Sequence, residues 1–86
     1  MEPPLLDGLV LAALARGGPT TGRGVATTVG RRAPIHPVLR RLERERLVTS
    51  RPLPRSSRRA RRYRITAGGR EALVALRLLL SAPRAF

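Results

Sequence analysis

The sequence predicts a small, mainly α fold carrying one β-hairpin, with its elements in the order helix, helix, helix, hairpin, helix. Three observations predict it. Apolar residues recur at helical spacing along several stretches, two short runs of strand character flank a polar basic segment, and Gly or Pro marks most boundaries. At 86 residues the chain makes a single domain spanning 1–86, near the size where a hydrophobic core begins to hold a fold unaided.

The first helix starts at Pro3-Pro4, since proline is tolerated in a first turn, and carries Leu5, Leu6, Leu9, Val10, Ala13 and Leu14. Gly17-Gly18-Pro19 stops it. Thr20 or Thr21 offers an N-cap for a short second helix, about 21–29, which Gly30 ends. The third helix, 34–46, is the clearest. Ile35, Val38, Leu39 and Leu42 share one side of the helical wheel, while Pro37, Arg40, Arg41 and Arg44 share the other. Pro34 and Pro37 sit in its first turn, where a missing N–H costs little.

Residues 47–53 and 61–65 read as strands, joined by the turn-forming Pro54-Arg55-Ser56-Ser57-Arg58-Arg59-Ala60. Thr66 caps a last helix over 67–81, and Pro83 follows it. That helix is apolar nearly all round (Ala72, Leu73, Val74, Ala75, Leu76, Leu78, Leu79, Leu80), whereas packing on one domain needs a single stripe. A second copy of the chain is the economical cover. Arg77 stands nearly alone as a basic group there, so a membrane-surface helix is the weaker reading.

Charge bounds the function. Eighteen basic residues, all Arg, stand against five acidic ones, for a net charge of +13. Codon bias in a GC-rich genome accounts for Arg in place of Lys, but not for the scarcity of acids. Such a field draws polyanions. With Tyr63 and Phe86 as the only aromatics, base-stacking platforms for single strands or RNA are missing. No Cys and one His exclude a disulfide framework, a thiolate zinc site and a histidine metal cluster. Glu2, Asp7, Glu43, Glu45 and Glu71 are scattered with no acid–base pairing, so no enzyme and no cofactor is expected. The opening Met1-Glu2-Pro3-Pro4 is not basic, and the run 73–80 is too short to span a bilayer. A soluble, cytoplasmic protein of bacterial type, associated with the nucleoid, is expected.

The element order is that of a winged helix-turn-helix with a C-terminal helix for dimerisation. In such a motif the third helix enters the major groove and the second braces it. The expected contacts to double-stranded DNA are Thr20, Thr21 and Arg23 around the second helix, then Pro34, His36, Pro37, Arg40, Arg41 and Arg44 on the third. The wing adds Arg55, Ser56, Ser57, Arg58, Arg59 and Arg61, with Arg62 beside them. Arg suits the task because its fork bonds guanine or phosphate in bidentate fashion. His36 either touches DNA or packs at the elbow of the motif. A homodimer interface is expected at Leu5, Leu9, Leu73, Leu76, Leu79 and Leu80.

Residues 35–48, Ile-His-Pro-Val-Leu-Arg-Arg-Leu-Glu-Arg-Glu-Arg-Leu-Val, resemble the recognition helix and first wing strand of PadR-type transcriptional regulators. Residues 62–73 resemble the second wing strand and the start of the next helix, and residues 9–22 the first helix and the turn after it. The resemblance covers about three-quarters of the chain. It implies a homodimeric regulator, usually a repressor, on a pseudo-palindromic operator, with the C-terminal helix as dimerisation element. The family usually carries Tyr where this chain has Arg23 and His36, and favours Gly where it has Arg46. An Arg held there in a left-handed cap costs of order 1 kcal/mol. Family members often hold small hydrophobic effectors, but without Trp and with Phe86 as the sole Phe no stacking pocket is evident, and no effector is expected. Two other functions fit the composition: nonspecific or architectural nucleic-acid binding through charge alone, and a winged helix that docks a foreign protein through its last helix.

Overall fold

A computed structural model describes residues 4–54 and 60–81. The elements are α1 (Pro4–Gly17), β1 (Thr20–Thr21), α2 (Gly22–Val29), α3 (Ile35–Arg44), β2 (Val48–Pro52), β3 (Arg61–Ile65) and α4 (Ala67–Ser81). The four helices and the hairpin strands fall where the periodicity placed them. Wing residues Arg55, Ser56, Ser57, Arg58 and Arg59 lie outside the described residues, as do Pro3 and Pro83.

The sheet departs from expectation in one respect. Thr20 and Thr21 form a third strand against β3, with Thr20 opposite Tyr63 and Thr21 opposite Arg62, so the sheet order is β1-β3-β2. Two residues cannot display an alternating pattern, so only the neighbouring strand reveals this one.

Caps explain where the helices begin and end. The Thr21 hydroxyl accepts from the Gly24 amide at 3.1 Å, opening α2, and Gly30, at φ 139°, closes it. α3 ends in a complete Schellman turn: Arg46 N–H donates to the Glu43 carbonyl at 3.0 Å and Leu47 N–H to the Leu42 carbonyl at 2.9 Å. The left-handed residue of that turn is Arg46, at φ 62°. Thr66 then caps α4 by accepting from the Gly69 amide at 3.0 Å, and its hydroxyl donates to the Arg46 carbonyl at 2.8 Å.

The core gathers one face of each element. α3 contributes Ile35, Val38, Leu39 and Leu42, all buried as predicted, and α1 adds Val10, Leu11 and Leu14. Tyr63 and Ile65 on β3 and Val48 on β2 close it from the sheet side. Leu73, expected at a dimer interface, belongs here instead. It is buried within its own chain, because the first turns of α4 pack back onto the domain. Leu76 is partly buried and lies against α1, where a Cβ on Gly8 would fall 2.5 Å from its Cδ2. Among the described residues, no helix is long and apolar enough to cross a membrane.

Candidate nucleic-acid interface

α3 buries its apolar side on α1 and the sheet, which leaves the opposite side to solvent. Pro34, His36, Pro37, Arg40 and Arg44 are exposed there. An open concavity of about 830 Å³ runs along this side, lined by His36, Pro37, Arg40, Glu43 and Arg44. His36 packs at the elbow of the motif, one of the two roles expected of it. It is exposed, yet its ring lies over α2, so that a Cβ on Gly22 would stand 2.9 Å from its Cε1. The absent side chain at Gly22 lets α2 and α3 approach at their elbow.

Arg41 does not join this face. Its guanidinium turns toward α1, with Nη1 donating to the Asp7 carboxylate at 3.0 Å and Nη2 to the other oxygen of the same group. Glu45, one turn along α3, lies 3.6 Å from the same guanidinium. The reason is geometric: Arg41 sits at the border between the buried and exposed sides of α3, beside the only acidic residue of α1. In the sequence Asp7 reads only as an interruption of an apolar run. A separation of 34 positions hides its partner.

Arg61 is exposed but anchored. Its Nε donates to Ser50 Oγ at 2.8 Å, and Ser50 Oγ donates to Glu43 Oε2 at 2.6 Å. This relay fastens both wing strands to α3, so Glu43 serves the architecture of the face as well as moderating its charge. Sequence reasoning missed Ser50, because its role depends on the register that places it opposite Tyr63. Burial pushes the Tyr63 phenol above its ordinary pKa, and the nearby Glu43 carboxylate adds to the effect.

Around α2, Thr21 caps the helix and Arg23 is exposed on its first turn. Thr20 is half-buried in β1, its Oγ1 packed so closely against Gly24 that a Cβ there would overlap it. The expected interface residues Leu5, Leu9, Leu79 and Leu80 are all exposed, and Val74 and Leu78 join them.

No family model matches the sequence, and no curated protein matches it. Solved structures do match the fold. The BpsR protein of Bordetella bronchiseptica, described as having its DNA binding regulated by 6-hydroxynicotinic acid, aligns with a TM-score of 0.72 and 22% identity over 94% of this chain. This chain spans 65% of that protein's length. A PadR family transcription regulator from Clostridium difficile aligns with a TM-score of 0.70 and 23% identity, covering 86% of this chain and 84% of its own. The PcaV transcriptional regulator of Streptomyces coelicolor, solved with its natural ligand, aligns with a TM-score of 0.69 and 26% identity, covering 99% of this chain and 64% of its own. The fold is a winged helix-turn-helix.

Proposed function

We propose that this winged-helix chain is a cytoplasmic, sequence-specific regulator that binds double-stranded DNA as a homodimer and represses from an inverted-repeat operator. The observation that carries the reading is the exposed side of α3, where Arg40 and Arg44 line an open concavity on a helix whose other side is wholly buried. A helix held that firmly presents its side chains in a fixed array, as major-groove readout requires. The net charge of +13 supplies the field that draws the duplex in. His36 and Pro37 at the start of α3, with Arg23 and the amino end of α2, stand beside the array for base and backbone contacts.

The second copy is inferred from α4. Its last turns expose Leu78, Leu79 and Leu80, and α1 exposes Leu5 and Leu9. An apolar surface of this kind on a small chain is covered by association. Two-fold pairing would present two copies of α3 to successive turns of the major groove.

Selection of bound duplexes from a random library tests the reading. The expected result is one enriched inverted repeat. Replacing Arg40 or Arg44 with Gln should weaken binding to it by about tenfold or more, the loss expected of one bidentate base contact. Equal retention of all sequences would reduce the function to charge-driven packaging of DNA.

A further inference from the structure

An exposed threonine stands among arginines on the outer face of the sheet. β2 and β3 alternate about their shared ladder. Val48, Tyr63 and Ile65 turn inward and are buried, while Thr49, Arg51, Arg62 and Arg64 are exposed. Thr49 lies directly opposite Arg64, and Arg51 opposite Arg62. Facing residues carry their Cβ atoms about 5 Å apart and diagonal ones about 7–8 Å, within reach of a long side chain. Arg64 therefore faces Thr49, Arg62 lies diagonal to it, and Arg51 follows it on the same side of β2. Among the described residues none of these three arginines is ion-paired or hydrogen-bonded through its side chain.

The Thr49 hydroxyl is itself unengaged among the described residues. Other hydroxyls are committed: Ser50 to Glu43, Thr21 and Thr66 to helix caps, and Thr27 and Thr28 to the Arg23 and Gly24 carbonyls. Thr49 and the three arginines border an open recess of about 300 Å³ with Pro19 and Ser50, which leaves space for a group added to Oγ1. We infer that Thr49 is a phosphorylation site whose phosphate is held by Arg51, Arg62 and Arg64. Phosphothreonine brings close to two negative charges at neutral pH and three acceptor oxygens, which suit forked guanidinium donors. It also relieves the like-charge contact of Arg51 with Arg62.

The donor is a nucleoside triphosphate, brought by a protein kinase. Thr49 Oγ1 attacks the γ-phosphorus, and the bond from that phosphorus to the β,γ-bridging oxygen breaks as the new ester bond forms. The nucleoside diphosphate leaves with the electron pair, and the hydroxyl proton passes to a carboxylate of the kinase. β2 is an edge strand of the sheet, already extended, with exposed Arg46 and Arg51 on either side of Thr49 in the chain. Charge complementarity assigns the task to a kinase with an acidic substrate groove. Once made, the phosphate stabilises the fold, because it pairs arginines that otherwise lack partners. It also removes about two units from the net charge of +13, so duplex binding weakens, a consequence that rests on the duplex-binding reading above.

The test uses the full chain. It is incubated with ATP and an arginine-directed serine/threonine kinase, and fragmentation mass spectrometry locates the product. A phosphoryl group on Thr49, lost in T49A, is the expected result. A chain whose Thr49 stays free while other hydroxyls are modified overturns the site. The cradle is tested separately on the chain carrying phosphothreonine at position 49, with and without R62Q/R64Q, both positions being exposed. Phosphorus NMR should place the second phosphate ionisation below its ordinary value of about 6, because neighbouring guanidinium groups favour the dianion. R62Q/R64Q should return it to about 6 and abolish the rise in melting temperature that the phosphate brings. Equal ionisation midpoints in the two chains overturn the cradle. A lowered midpoint with duplex affinity unchanged keeps the cradle and overturns its control of binding. An unaltered chain that binds no duplex overturns the duplex reading, while the midpoints still decide the site.

Discussion

Three residues show how local chemistry sets stability here. Arg46 holds φ 62° at the end of α3, where glycine meets no Cβ penalty. Arg46→Gly should stabilise the chain by about 1 kcal/mol, a rise of roughly 4–8 °C in Tm for a domain of this size. Gly69 is the reverse case. A Cβ there would overlap the Leu47 carbonyl oxygen and stand 2.7 Å from Ile65 Cγ1. The obstacle is backbone, which cannot rotate away, so Gly69→Ala should cost about 2 kcal/mol or more in denaturant unfolding. Tyr63 couples stability to pH. Burial, seconded by Glu43, raises its phenol above the ordinary 10.0, against smaller opposing effects of Arg61 and Arg40. The folded chain therefore binds that proton more tightly than the unfolded one. Its stabilising effect is complete below about pH 10 and is lost as pH climbs through the folded value. A phenolate absorbance titration should place the folded midpoint above the denatured one. Coincident midpoints would refute the assignment.

Between elements, two polar links set the pose of α3. Asp7 ties it to α1 through Arg41, and Glu43 ties it to the hairpin through Ser50 and Arg61. The Asp7–Arg41 pair is only partly exposed, so Asp7→Asn should cost about 1 kcal/mol, between a solvent pair and a buried charged bond. The first link makes a prediction for binding. Arg41→Gln should lower stability yet leave the salt slope of duplex binding unchanged, because its guanidinium is engaged by Asp7. A fall in slope of about 0.9 would return Arg41 to the reading face.

For the molecule as a whole, shape and surface lead to the same expectation. The chain is elongated, 55 × 27 × 23 Å, and the last turns of α4 carry exposed leucines. Leu73 and Leu76 belong to the chain's own packing, so the surface proposed for pairing is Leu5, Leu9, Val74, Leu78, Leu79 and Leu80, which stay exposed. Light scattering should give twice the chain mass for the unaltered protein. Leu78→Glu with Leu79→Glu should give a folded monomer, since both side chains are already exposed within one chain. A monomeric unaltered chain would move this surface to a foreign partner.

By itself the sequence determined the four helices, the hairpin and their order, because periodicity, caps and turn residues are local. α4 begins after Thr66 and α2 after Thr21 since each hydroxyl meets an amide three residues ahead. The buried side of α3 was equally legible, a direct consequence of 3.6-residue spacing. The tertiary structure decided what depends on distant partners. Arg40 and Arg41 are neighbours of identical chemistry, yet Asp7, 34 positions from Arg41, takes one of them into the scaffold. Ser50 and the outward Arg51, Arg62 and Arg64 acquire meaning only through the pairing of β2 with β3. β1 exists only because β3 lies beside it. Apolar patterning is written along the chain, whereas the pairing of charges is settled by where folding brings them together.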